Sequence, residues 1–250
     1  MKRVQDASNN LENCSTEMIS SSNSRFGFFS FTSSELLCFC ERNWLNDDSI
    51  SFIFHLMQVI ADEQKMKIVF LRPEFISLLF GSSNHVDHYG VLKVFSKISE
   101  MKRFIFPISV NNNHWILIDV EIDVENTKKE IIFYDPLHGD IQQEFTETIQ
   151  AFFDVHFPEL LGQAWNIQNC KDIEIQKDGF NCGVFVILYA YGRMVRCRQP
   201  EWFSDLNKIR MKLISAAIKH GKKCDPPFST IDEVILVPST FSIYPVAYFS

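Results

Sequence analysis

A polar turn, Gln176-Lys-Asp-Gly-Phe-Asn-Cys-Gly183, runs directly into Val184-Phe-Val-Ile-Leu-Tyr-Ala-Tyr-Gly-Arg-Met-Val-Arg196. Val184, Phe185, Ile187, Leu188 and Tyr191 recur at helical spacing, and the polar interruptions are few. The pattern predicts a largely buried helix that begins at or just after Cys182 and needs a sheet and other helices to cover it. Lys177, Asp178 and Gly179 read as the turn before it, with Gly179 in the positive-φ position. A cysteine in the first turn of a helix meets unpaired backbone N–H groups and the positive end of the helix dipole, both of which favour a thiolate. The same N–H groups can hold an oxyanion, and Gln176 can add a side-chain donor. Gly183, with no side chain, lets a substrate backbone or another chain segment come close to the sulfur. On this segment alone, a structural cysteine ahead of a core helix fits as well, because free Cys packs as a small hydrophobe.

A thiol nucleophile needs a base from elsewhere in the chain. Phe104-Ile-Phe-Pro-Ile-Ser-Val110, then Asn111-Asn-Asn113, then His114-Trp-Ile-Leu-Ile-Asp-Val120 reads as strand, Asn-rich turn and strand, which puts His114 where a loop enters a core strand. The next apolar run, Ile131-Ile-Phe-Tyr134, ends at Asp135-Pro136, where proline stops the strand. If the two strands are neighbours, Asp135 can fix the tautomer of His114 and His114 can take the thiol proton. Asp119 is the rival carboxylate, five residues from His114 and on the other side of the pleat by period-two counting. His138, in the turn Leu137-His-Gly139, is the rival imidazole, but a loop holds a ring less rigidly than a strand entrance.

The ordered set His114-Trp115, Asp135 and Gln176-Lys-Asp-Gly-Phe-Asn-Cys182-Gly183, with Trp44-Leu-Asn-Asp47 upstream and Pro107-Ile108 before the histidine, resembles the Ulp/SENP family of cysteine proteases. The resemblance covers roughly residues 30 to 220. It implies an α+β fold with a papain-like core of the Ulp/SENP type, a mixed central sheet flanked by helices. It also implies Cys182 as nucleophile, His114 as base and then acid, Asp135 as orienting residue and Gln176 as oxyanion donor. Trp44 and Trp115 become walls of a tunnel for a modifier's Gly-Gly tail, Asp47 a polar contact to its body, and Gly183 a position beside the substrate. Asn181 departs from the Asp that many relatives carry before the cysteine, which removes a charge next to the thiol.

The implied activity is cleavage after the C-terminal Gly-Gly of a ubiquitin-like modifier, SUMO first, in deconjugation or precursor processing. Alternatives are a protease for NEDD8 or ubiquitin, a catalytically silent modifier-binding protein, and an acyltransferase using the same chemistry. No cofactor motif is present, and the oligomeric state is not legible. The resemblance favours the nucleus over the cytoplasm.

Bulk properties fit that expectation. A chain of 250 residues that is 46% hydrophobic can bury one sizeable core. A formal net charge of -7 argues against nonspecific nucleic-acid binding. Seven scattered cysteines suggest thiols in a reducing compartment, and Cys38-Phe-Cys40 is too short for a metal site. There is no apolar run of transmembrane length and no signal peptide.

Residues 1–25, rich in Asn and Ser, read as a flexible arm, 26–224 as the domain, and 225–250 as a tail that packs back or binds a partner. Asn46, Asp47 and Asp48 can cap a helix whose buried face is Ile50, Ile53, Phe54, Met57 and Ile60, with His55 in a packing role. Arg72-Pro-Glu74 opens a shorter helix with Phe75, Leu78 and Leu79 inward, and residues 91–100 another. His85, Asp87 and His88 lack the spacing of a metal site. Glu121 to Glu130 reads as a solvated hairpin extension. Phe145, Ile149, Phe152 and Phe153 form a helical stripe over the sheet, and Trp165-Asn-Ile167 a short strand. Asp205 to Lys219 reads as a helix with Leu206, Ile209, Leu213, Ala216 and Ala217 inward and Lys208, Arg210, Lys212 and Lys219 on a basic exterior.

Overall fold

The computed structural model describes residues 19–20, 30–31, 36–75, 79, 98–140, 143–197 and 200–221. Most of the expected arm and the whole expected tail lie outside the described residues, as do Leu78, His85, Asp87, His88 and residues 91–97. From the expected arm, β1 (Ile19–Ser20) pairs antiparallel with β2 (Ser30–Phe31), at the start of the expected domain.

The body is a five-stranded sheet in the order β3 (Ile68–Phe70), β4 (Arg103–Val110), β5 (His114–Asp123), β6 (Lys128–Tyr134), β7 (Asn166–Asn169). The outer pairings, β3 with β4 and β6 with β7, are parallel, and the inner two are antiparallel. The sheet is therefore mixed, with α1 (Asp47–Glu63), α2 (Gln143–His156), α3 (Cys182–Val195) and α4 (Leu206–Gly221) around it.

Period-two alternation sends the inner strands into two separate cores. Ile105, Trp115, Leu117 and Tyr134 join α1, α3 and α4 on one face. Phe104, Phe106, Ile108, Ile116, Ile118, Val120, Ile131 and Phe133 meet Ile149 and Phe153 of α2 on the other. Because both faces are covered, β5 is apolar on both sides from Trp115 to Ile118 rather than alternating there. Helix α3 is apolar nearly all round for the same reason: from Cys182 to Tyr191 every residue is buried.

Two local devices set the site. Asn46 accepts from the Ser49 N–H at 2.9 Å and starts α1, as expected of an N-cap. Asn111 and Asn112 take φ of 54° and 56°, a left-handed conformation that asparagine tolerates, and the hairpin they close places Val110 opposite His114. The Asn-rich turn thus fixes where the imidazole enters the sheet.

Two expectations are corrected. Gly179 has no left-handed φ; of the described glycines, only Gly162 does. The turn is shaped instead by the Asp178 carboxylate, which accepts from the N–H groups of Phe180 and Asn181 at 3.0 and 2.9 Å. Arg210 is not on a basic exterior but 1% exposed, inside the core.

Candidate active site

His114 and Asp135 stand at the ends of adjacent strands in the middle of the sheet, rather than on an edge strand. Their Nε2 and Oδ1 atoms are 2.7 Å apart. The carboxylate accepts, so a proton lies on Nε2, and Nδ1 is the ring nitrogen left for the Cys182 sulfur, which is near enough to act on the charge of the ring. Asp135 is itself fixed by the backbone N–H groups of Leu137 and Gly139, each 2.8 Å from a carboxylate oxygen. A Cβ on Gly139 would stand 2.5 Å from Asp135 Oδ2, so only glycine lets that N–H come so close. The residues Asp-Pro-Leu-His-Gly, read in sequence as a turn, are therefore the support of the orienting acid.

Burial opposes charge on His114, but the hydrogen bond to Asp135 and the influence of the Asp135 and Cys182 side chains outweigh it and raise the imidazole from 6.5 to about 9. Burial likewise works against charge on Asp135, and the bonds from His114, Leu137 and Gly139 outweigh it and hold the carboxyl below its usual range. The ring thus carries its proton near neutral pH. The two rivals are placed elsewhere. Asp119 is 0% exposed and engaged by Arg193 and Arg103 on the face under α3. His138 sits in the loop past Asp135, with its backbone N–H on the Asp135 carbonyl.

Cys182 is the first residue of α3 and 3% exposed. Asn181 occupies the N-cap position without capping through its side chain. Its amide nitrogen donates to Asp178 Oδ2 at 2.8 Å and its carbonyl oxygen accepts from Arg210 Nε at 2.7 Å. An Asp at 181 would keep the acceptor for Arg210 but face the Asp178 carboxylate with like charge, which accounts physically for an amide here. Gln176 is buried beside the site, its N–H bonded to the Pro136 carbonyl at 2.9 Å. Its side-chain nitrogen already has partners within the turn. It donates to the Asp178 carbonyl at 2.7 Å and lies 3.2 Å from Asp178 Oδ1, and this longer contact is the one that an oxyanion would displace.

Trp44, Asp47, His114 and Trp115 line one cleft of about 370 Å³. Trp44 is 48% exposed, with its indole N–H on the Gly179 carbonyl at 2.8 Å. Trp115 is 6% exposed and donates to the Leu45 carbonyl at 2.9 Å, so it is a core residue that lends the cleft a wall. Asp47 is exposed on the rim. Gly183 is approached by another chain segment: a Cβ added there would stand 2.9 Å from Leu45 Cβ, so packing requires the glycine. Among the described residues no group of three or more His, Cys, Asp or Glu could hold a metal, and no helix is long and apolar enough to cross a membrane.

Comparison with known proteins gives one pattern. A family model described as the Ulp1 protease family, C-terminal catalytic domain, matches residues 43–222. Sentrin-specific protease 5 of Homo sapiens and that of Mus musculus are each 28% identical to the chain over 180 residues, a match covering 69% of this chain and 22% of the relative. The chain thus spans about a fifth of the length of these curated relatives. The C-terminal Ulp1 protease domain solved in complex with Smt3, the yeast ortholog of SUMO, superposes with a TM-score of 0.68 at 17% identity, covering 89% of this chain and 96% of that one. A Chaetomium thermophilum Ulp1-like SUMO protease catalytic domain gives 0.64 at 15% identity, covering 89% and 91%. These likenesses establish the α+β fold with its mixed sheet.

Proposed function

This chain belongs to the Ulp1 protease family, and we propose that it is a cysteine protease that cleaves after the C-terminal Gly-Gly of a ubiquitin-like modifier, SUMO first. The observation that carries the reading is the Asp135–His114 hydrogen bond with the Cys182 sulfur in electrostatic reach of the same ring at the start of a buried helix.

Each residue has a step. The Cys182 sulfur attacks the carbonyl carbon of the modifier's last glycine, and the carbonyl electron pair moves onto oxygen. First-turn N–H groups of α3, with the Gln176 amide, hold that oxyanion. When the carbonyl re-forms, the C–N bond breaks and the amine leaves with the proton from His114 Nδ1. A water then gives one proton back to Nδ1 as it attacks the thioester, collapse of the adduct breaks the C–S bond and returns the thiolate, and the modifier departs as a carboxylic acid that loses its remaining proton to solvent. Asp135 keeps the ring oriented throughout. The cleft between Trp44 and Trp115 suits a chain end without side chains, which supports glycine at the reacting position.

SUMO as the modifier is supported by the names of the relatives, and the nucleus as the place of action is inferred from the family resemblance alone. The test is hydrolysis of SUMO, NEDD8 and ubiquitin, each carrying a C-terminal fluorogenic amide. SUMO turnover is expected; turnover of NEDD8 or ubiquitin alone would reassign the substrate. No turnover of any, with measurable SUMO binding, would replace the protease by a modifier-binding protein. A tagged copy confined to the cytoplasm would contradict the nuclear assignment.

A further inference from the structure

Arg210 sits on α4, far along the chain from every residue in the reaction, yet its side chain ends beneath the nucleophile turn. All five guanidinium N–H groups have acceptors. Nε donates to Asn181 Oδ1 at 2.7 Å, Nη1 to the carbonyls of Cys38 and Cys40 at 3.1 and 3.0 Å, and Nη2 to those of Asn43 and Phe180 at 2.7 and 3.0 Å. The guanidinium also lies 5.8 Å from the centre of the Phe180 ring. Among the described residues no carboxylate is within ion-pair distance of it.

These acceptors belong to two segments. Phe180 and Asn181 immediately precede Cys182. Cys38 to Asn43 lead into Trp44 and Leu45, of which Trp44 bonds to Gly179 and Leu45 fills the space over Gly183. One rigid fork therefore joins the turn that aims the sulfur to the strip of chain that walls the cleft. We propose that Arg210 is a positioning residue for catalysis, one that holds the nucleophile turn and the Trp44 segment in register. The inference rests on the proposed protease reading. It needs the fork rather than the charge alone: a lysine has three donors on a flexible stem and can meet only part of this set. Losing the fork leaves five acceptors short of a donor and lets the turn drift relative to His114. The guanidinium is also close enough to the Cys182 sulfur to act on it electrostatically.

The experiment compares wild type with Arg210→Met, Arg210→Lys and, as a control on an exposed position of the same helix, Lys208→Met. Two rates are read per folded molecule: hydrolysis of SUMO with a C-terminal fluorogenic amide, and alkylation of Cys182 by iodoacetamide, followed by peptide mass. Arg210→Met is expected to lower kcat on the order of 10- to 100-fold while KM stays within about threefold, because misaiming by about an ångström acts on the reacting geometry more than on docking. Alkylation of Cys182 slows by about fivefold, Arg210→Lys recovers only part of both rates, and Lys208→Met matches wild type. A role in folding alone would lower the folded fraction and leave both rates per folded molecule unchanged, and that result overturns the proposal. Should Arg210→Met not fold, Asn181→Ala removes one acceptor and leaves four; it is expected to lower kcat about threefold, and wild-type kcat there overturns the proposal equally. If wild type hydrolyses no modifier, the protease reading falls by itself, while the alkylation rates still decide whether Arg210 sets the direction of the sulfur.

Discussion

At the N-terminal end of α3, Arg210 gives its five donors to uncharged acceptors, whereas at the C-terminal end Arg193 donates to the Asp119 carboxylate at 2.5 Å and Arg103 lies 3.4 Å from the same group. Both ends are tied by arginine, buried at the near end and half-buried at the far one, but with opposite electrostatic outcomes. The carboxylate at the far end compensates its cations, and the result is a tie between helix and sheet. At the near end dipoles fix the direction of the guanidinium without cancelling its charge, and they do so next to the sulfur. The same contrast holds for the cavities. The larger one, about 670 Å³, lies at the far end among Arg103, Tyr134, Arg193 and Trp202, and carries none of the Asp135–His114–Cys182 line. The cleft of about 370 Å³ on His114 is smaller and holds the chemistry. Volume is a poor guide to where this fold reacts; alignment of proton donors and acceptors is the better one.

If that contrast is right, the two ends fail differently. His114→Ala, at the near end, is expected to cut turnover per folded molecule by about 10³-fold or more, because the ring exchanges protons with the reacting groups. Asp119→Asn, at the far end, should reverse the pattern. It leaves two arginines without their buried counter-charge and costs about 3 kcal/mol of stability by denaturant titration, with kcat per folded molecule unchanged. Equal loss of kcat in both variants would erase the distinction between the ends.

A pH profile sharpens it further. The His114 imidazolium donates to the leaving amine, so kcat should fall as pH rises through about 9, roughly tenfold per unit beyond it. Its folded value lies above the free value of 6.5, so the same interaction stabilises the fold fully below about 6.5 and is lost as pH rises through about 9. A basic limb near 7 would contradict the hydrogen bonding described for the ring. The smallest effect is expected at Gly179→Ala. A Cβ there meets nothing within 4 Å and the backbone is not left-handed, so stability should change by less than about 0.5 kcal/mol in the same titration. A larger loss would restore the positive-φ turn that the sequence suggested.

What was legible in the sequence was what local pattern decides. The apolar run after Cys182 gave the buried helix, Asn111 to Asn113 gave the hairpin, and Asp135-Pro136 gave the strand end, so the three residues of the line could be named from order alone. What was not legible depends on contacts between distant segments. Arg210 shares its helix with Lys208 and Lys212, and composition placed it outside. Its spacing pointed the other way, four residues after Leu206 and three before Leu213, on the stripe that is buried. Gly183 could be read as a place of close approach, but that Leu45, distant in the chain, is the segment that comes there is written nowhere in its neighbourhood. Gln176 was correctly placed beside the turn, but that its amide already donates to Asp178 depends on how the turn folds.

The most direct measurement is the identity of the sulfur that reacts with a bound modifier. SUMO ending in a vinyl sulfone is incubated with wild type and with His114→Ala, and the adduct is mapped by peptide mass. The account predicts a single adduct, on Cys182, that forms in wild type and is lost or greatly slowed without His114. An adduct on Cys170 or Cys197, or one on Cys182 that forms equally fast without the imidazole, would contradict it.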